Sequence, residues 1–123
     1  MFPSDRLESV FRIFKSHAPD WLQPYIEKAF EISENYLCNI FTVKKDVFRM
    51  FGEIAFPAVT NILKLITPEE KSRLHPYWLA YLFERYTSLY YHAVQMSGKY
   101  KFIHVPLLTV DADKHVKISK DLP

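Results

Sequence analysis

At 123 residues, 49% hydrophobic and 24% charged, the chain has the balance of one globular domain, and two separately folded units would each be too small to bury much core. Its single cysteine, Cys38, excludes an intramolecular disulfide framework, and no apolar run approaches the roughly 20 residues that a membrane-crossing helix needs. The net charge of +2 sits at one end: residues 1–98 carry eleven basic and eleven acidic side chains, residues 99–123 five lysines against three aspartates, which is far from the footprint of a dedicated nucleic-acid binder.

The first helix is expected over Ser4 to His17. Asp5 with Glu8 makes a capping-box start, and Leu7, Val10, Phe11 and Phe14 follow at i, i+3, i+4 and i+7 as one apolar stripe. Pro19 ends it, because the residue before a proline avoids helical geometry. Charges at Asp5 and Arg6 stand where a secretion signal needs apolar residues, so a cytoplasmic location is the expectation.

A second helix is expected over Asp20 to Phe41, with Pro24 in its first turn or marking its true start. Leu22, Ile26, Ala29, Phe30, Leu37 and Ile40 form its main stripe; Trp21, Tyr25, Ile32 and Tyr36 form a second beside it. Cys38 lies in this apolar stretch and reads as an inert core thiol. Thr42 is placed to cap a third helix through Val43–Ile66. Apolar residues, among them Val47, Phe48, Phe51, Ile54, Phe56 and Val59, surround most of its circumference, which predicts the most buried helix. Pro57 lacks the N–H that would bond Glu53, so a kink or break is expected there.

Thr67-Pro68-Glu69-Glu70 is the clearest local signal: an N-cap, a proline at the first helical position, and a glutamate closing the capping box. That short helix is expected to reach His75, and a long one then to run from Pro76 to Ser97 and stop at Gly98. Beyond it the period changes to two. Lys99 to Val105 and His115 to Ile118 alternate apolar and polar, with a turn at Asp111 to Lys114. The expected class is therefore all-α: a bundle of four to five helices over 1–98, with a short C-terminal β-hairpin or extended arm over 99–123 packed on the same domain.

The two glycines, Gly52 and Gly98, are too far apart for a phosphate-binding loop, a dinucleotide fingerprint or a nucleophile elbow. A lone cysteine excludes zinc sites built on several thiolates, and neither H-E-x-x-H nor a Glu-x-x-His pair occurs. Asp111, Asp113 and His115 alternate as metal ligands on a strand would, but an Asp-rich turn explains them with less. Neither a metal nor a cofactor is expected.

Three clusters remain. Tyr81, Arg85, Ser88, His92 and Gln95 recur every three or four residues on the last helix and form one polar stripe. Arg85 and His92 in that stripe resemble the R-x(4–6)-H pattern of HEPN-type ribonucleases, small four-helix domains that work as dimers. Tyr86 stands where those proteins usually carry a polar residue. The resemblance implies His92 as general acid or base and Arg85 as the group that holds a phosphate.

The same helix carries Tyr77, Trp78, Tyr81, Tyr86, Tyr90 and Tyr91, rings that suit a core, an interface or a ligand pocket alike. Lys44, Lys45 and Arg49 stand among Phe41 and Phe48, a basic-aromatic mixture of the kind that binds single-stranded nucleic acid, though Asp46 interrupts it.

The reading these features favour is a non-enzymatic interaction or regulatory module. It would offer Tyr77, Trp78, Tyr81, Tyr90 and Tyr91, with the cationic arm at Lys99, Lys101 and Lys117, to a protein partner or to another copy of itself. The alternatives are an RNA-cleaving dimer using Arg85 and His92, and a nucleic-acid binder using Lys44, Lys45 and Arg49. No membrane partner is expected.

Overall fold

The computed structural model describes residues 4–32, 42–103, 108–110 and 116–118, and the side chains of 7–32 and 42–103 among them. Five helices are described: α1 (Ser4–Ser16), α2 (Gln23–Phe30), α3 (Lys45–Leu65), α4 (Pro68–Arg73) and α5 (Trp78–Ser97). The protein is mostly helical. Cys38 and the rest of the expected second helix beyond residue 32 lie outside the described residues, as do Phe41, Asp111, Asp113 and His115.

α1 forms as its stripe predicts, with Val10, Phe11 and Phe14 buried. α2 starts three residues later than expected. Leu22 donates its N–H to the Pro19 carbonyl at 2.9 Å in a preceding turn, and Pro24 then occupies the first helical turn. Lys15 of α1 donates to Glu27 of α2 at 2.6 Å, and this bond holds the Glu27 carboxyl below its ordinary range.

Two expectations about the third helix need correction. Its N-cap is Lys44, in extended backbone, so Thr42 sits too early to cap it and no side-chain cap is made. Of the kink or break expected at Pro57, the break does not occur, and the helix continues through it. Pro57 and Glu53 both lie on the outer side of α3, where water can take the carbonyl that proline leaves without a donor.

A third correction concerns burial. α3 is one-sided, with Phe48 54% and Phe56 65% exposed. The most buried helix is α5, which buries eleven residues against seven for α3. α2 packs chiefly on α5 and α1 on α3, while α3 and α5 also touch, so α5 is covered from more than one side. Two tyrosines fasten it there. Tyr86 donates its hydroxyl to the Val10 carbonyl of α1 at 2.9 Å, and Tyr90 to the Val47 carbonyl of α3 at 2.6 Å.

α4 opens as its sequence predicts. The Glu70 N–H donates to the Thr67 hydroxyl at 3.1 Å, and the Thr67 N–H donates back to the Glu70 carboxylate. α5 ends at Gly98 with φ +73°, the left-handed conformation that a residue without Cβ adopts at little cost.

After Gly98 the period of two is real but is used differently. Lys99, Lys101 and Ile103 are exposed, whereas Tyr100 and Phe102 pack against the helical core. Residues 99–103 are not a strand. Lys99 and Tyr100 form a bend, and the apolar surface of the bundle rather than another strand takes Tyr100 and Phe102. The described ladder is later: Leu108–Val110 (β1) pairs antiparallel with Val116–Ile118 (β2), Leu108 opposite Ile118 and Thr109 opposite Lys117. The residues joining β1 to β2 lie outside the described set.

Candidate functional site

The apolar stripes of α1 and α2 close against α5 with a cavity of about 160 Å³ left between them. Leu7, Val10 and Phe11 line it from α1, and Ala29 and Phe30 line it from α2, with Ile32 just beyond. The Phe11 and Phe30 rings stack with centroids 4.0 Å apart, joining the two helices in one aromatic wall. α5 supplies the opposite wall through Trp78, Tyr81, Leu82, Arg85, Tyr86, Ser88, Leu89 and His92. Helical periodicity brings those residues to one face.

Four of the five residues of the polar stripe of α5 line this cavity, and two of those four are also exposed to solvent. Their exposure falls along the helix: Tyr81 is 50% exposed and Arg85 is exposed, while Ser88 is 2% and His92 7% exposed. The first pair stands at the mouth, the second inside. Gln95, the last member of the stripe, is exposed and lies outside the cavity lining. Among the described residues Arg85 is the one with a permanent charge lining the cavity, and no carboxylate among them pairs with it. Glu84 beside it makes no such pair.

The aromatic cluster of α5 divides in three. Trp78 and Tyr81 join the cavity, as does Tyr86 through one side of its ring. Tyr77, 67% exposed, stands outside against His75, with ring centroids 5.6 Å apart and its backbone N–H donating to His75 Nδ1 at 3.1 Å. Tyr81 also lies against His75, at 5.4 Å. Tyr90 and Tyr91 are buried against Phe51 of α3, at 5.2 and 6.2 Å, away from the cavity. Their burial removes them as contact residues for a partner, which corrects the expectation that they form part of a presented face.

Burial also sets the acidity of these phenols. Loss of water around the charged form pushes the hydroxyls of Tyr86 and Tyr90 well above the ordinary tyrosine value, and that of Tyr91 up to about 12.

Arg85 and His92 share the cavity, two helical turns apart, as the ribonuclease resemblance requires. Arg85 is exposed, and His92 is 7% exposed.

Lys44, Lys45 and Arg49 stand together at the start of α3, with Phe48 outward among them. Lys99 is occupied differently: its Nζ lies 3.8 Å from the centroid of the Trp21 ring, a cation–π contact that joins the segment after α5 to the turn before α2. Lys101 is exposed, and Lys117 belongs to β2, its side chain outside the described set.

Sequence reasoning found the α5 wall of the cavity but not the Phe11–Phe30 wall, since both phenylalanines read as ordinary core positions. Among the described residues no group of histidine, cysteine or acidic side chains is placed to hold a metal, and no helix is long and apolar enough to cross a membrane. Comparison with protein families, with curated proteins and with solved structures found no match.

Proposed function

We propose that this chain is a non-enzymatic binding module whose site is the cavity between α1, α2 and α5, where it takes a small, largely apolar molecule. One observation carries the reading. Trp78, Tyr81, Arg85 and His92, taken in the sequence from a polar stripe and an aromatic cluster on one helix, all line a single, partly open cavity that α1 and α2 complete. An apolar pocket with a few convergent polar groups is the usual form of a ligand site.

The test is a nitrogen–proton correlation spectrum of the full chain titrated with benzyl alcohol, a neutral single-ring probe. Saturable shifts confined to residues of α1, α2 and α5 around the cavity are expected, and Leu89→Trp, which fills the space, abolishes them. Shifts that persist unchanged in Leu89→Trp would place binding elsewhere.

A second reading keeps the protein-contact surface, now reduced to Tyr77, Tyr81 and the cationic arm at Lys99, Lys101 and Lys117. The outward exposure of Tyr77 and Tyr81 beside His75 favours it. It predicts a self-association constant, measured by sedimentation equilibrium, that weakens at least about tenfold in Tyr77→Ala/Tyr81→Ala, as truncating central aromatic anchors does. A monomer at every concentration ends the self-association form of this reading.

A further inference from the structure

We infer that the ligand of the cavity is a single-ring aromatic carboxylate, held with its ring between the Phe11–Phe30 stack and α5 and its carboxylate at Arg85. This rests on the cavity being a ligand site, and it adds the ligand's size, shape and charge.

Size comes first. The cavity measures about 160 Å³, close to the volume of roughly 150 Å³ at which an apolar protein cavity accepts benzene. Longer acyl chains and fused ring systems would extend out of it past the exposed Tyr81 and Phe30. Shape follows from the walls. Phe11 and Phe30 are stacked at 4.0 Å and tilted only 25° from each other, and Trp78 adds a third flat surface to the lining. A planar ring gains offset-stacking and edge contacts on such surfaces that a branched aliphatic group of equal volume does not.

Charge decides the rest. Among the described residues no acidic side chain lines the cavity beside Arg85, and Arg85 makes no ion pair. A cationic ligand would meet the positive charge of Arg85. A neutral one would leave the guanidinium unused. A carboxylate instead meets a planar fork of donors matched to its two oxygens.

The exposure gradient along α5 places that meeting at the right depth. Arg85 is exposed at the mouth while Ser88 and His92 are enclosed below, so the ring enters the apolar part and the charge keeps part of its hydration. Full burial of the charge, which would be costly, is avoided. Tyr81 lies one turn before Arg85 on the same helix face and also lines the cavity.

The experiment titrates the full chain at low ionic strength with benzoate, benzyl alcohol and benzylamine, three probes with one ring and charges of −1, 0 and +1, and with acetate, which has the charge but no ring. Benzoate is expected to bind about tenfold more tightly than benzyl alcohol, the factor that a charge-assisted hydrogen bond contributes, with benzylamine and acetate weakest. In Arg85→Gln the preference for benzoate should fall to within about twofold of benzyl alcohol. Arg85 is exposed, so the substitution leaves the buried core intact.

Benzyl alcohol binding as well as benzoate overturns the carboxylate inference and leaves the cavity as a ligand site. Acetate matching benzoate also overturns it, since Arg85 would then be pairing anions at the surface without the ring. Failure of all three ring probes overturns the inference together with the ligand-site reading beneath it.

Discussion

α3 and α5 are the two long helices of this protein, nearly equal in length and in apolar content, and the structure uses them in opposite ways. α3 turns Phe51, Ile54, Ala58 and Ile62 inward and leaves Phe48, Phe56 and Leu63 outward. α5 buries residues through Tyr86 to Val94 without interruption, polar ones included, and lends another face to the cavity. The reason is what covers each. α2 and α3 both pack on α5, and the hydroxyls of Tyr86 and Tyr90 find backbone carbonyls on α1 and α3. A tyrosine is buried at little cost when its hydroxyl is provided for, and α5 lies where two neighbouring helices provide for it.

The largest expected break in this comparison lies within α3 itself. Phe51→Ala should cost about 3–5 kcal/mol, because it opens a cavity beside Tyr90 and Tyr91, whereas Phe48→Ala, nearly one turn earlier and outward, should cost under about 1 kcal/mol. Urea midpoints of the two variants measure the difference. Similar midpoints would mean that α3 is covered on both faces in solution.

Alkaline titration tests α5. The phenols of Tyr86, Tyr90 and Tyr91 ionise less readily when folded, because burial pushes each above its ordinary value. Below about pH 10, the ordinary tyrosine value, both folded and unfolded chains hold these protons and stability is unaffected. Above it the unfolded chain releases them first. Stability should then fall with rising pH toward about 12 and beyond, by about 1.4 kcal/mol per pH unit for each of the three tyrosines. Denaturant unfolding at pH 8, 10 and 11 reads this directly, and a flat profile would place the phenols in water.

The smallest effects come from the two glycines, and they differ in sign. Gly98→Ala should destabilise by about 1 kcal/mol, since its φ of +73° is costly for any residue with a Cβ even though nothing crowds the position. At Gly52, inside α3, a Cβ meets only the Phe56 ring at an ordinary 3.6 Å, so Gly52→Ala should stabilise by about 0.5–1 kcal/mol through helix propensity. Thermal midpoints moving in the same direction for both would refute one of the two assignments.

Features governed by neighbouring residues are legible in the amino-acid sequence itself. The α1 stripe, the Thr67–Glu70 capping box and the stop at Gly98 all follow from local chemistry, and each acts as its spacing requires, whereas the period of two in residues 99–103 sets which side chains turn inward without making a strand. One wall of the candidate site is legible in the same way, because Trp78, Tyr81, Arg85 and His92 share a helix and the helical repeat puts them on one face.

Tertiary structure alone decided which side of each helix faces a neighbour. Phe48 and Phe51 are the same residue type three positions apart, yet one is exposed and one buried, and nothing within α3 distinguishes them. Likewise Tyr77 and Tyr90 carry the same ring at the start and within the body of one helix, and only the positions of α1, α2 and α3 make one a surface group and the other a tether. The cavity belongs to the same class. It exists because three stripes meet with Phe11 stacked on Phe30 instead of closing on α5, and that depends on the packing of distant segments, which periodicity along a single chain does not encode.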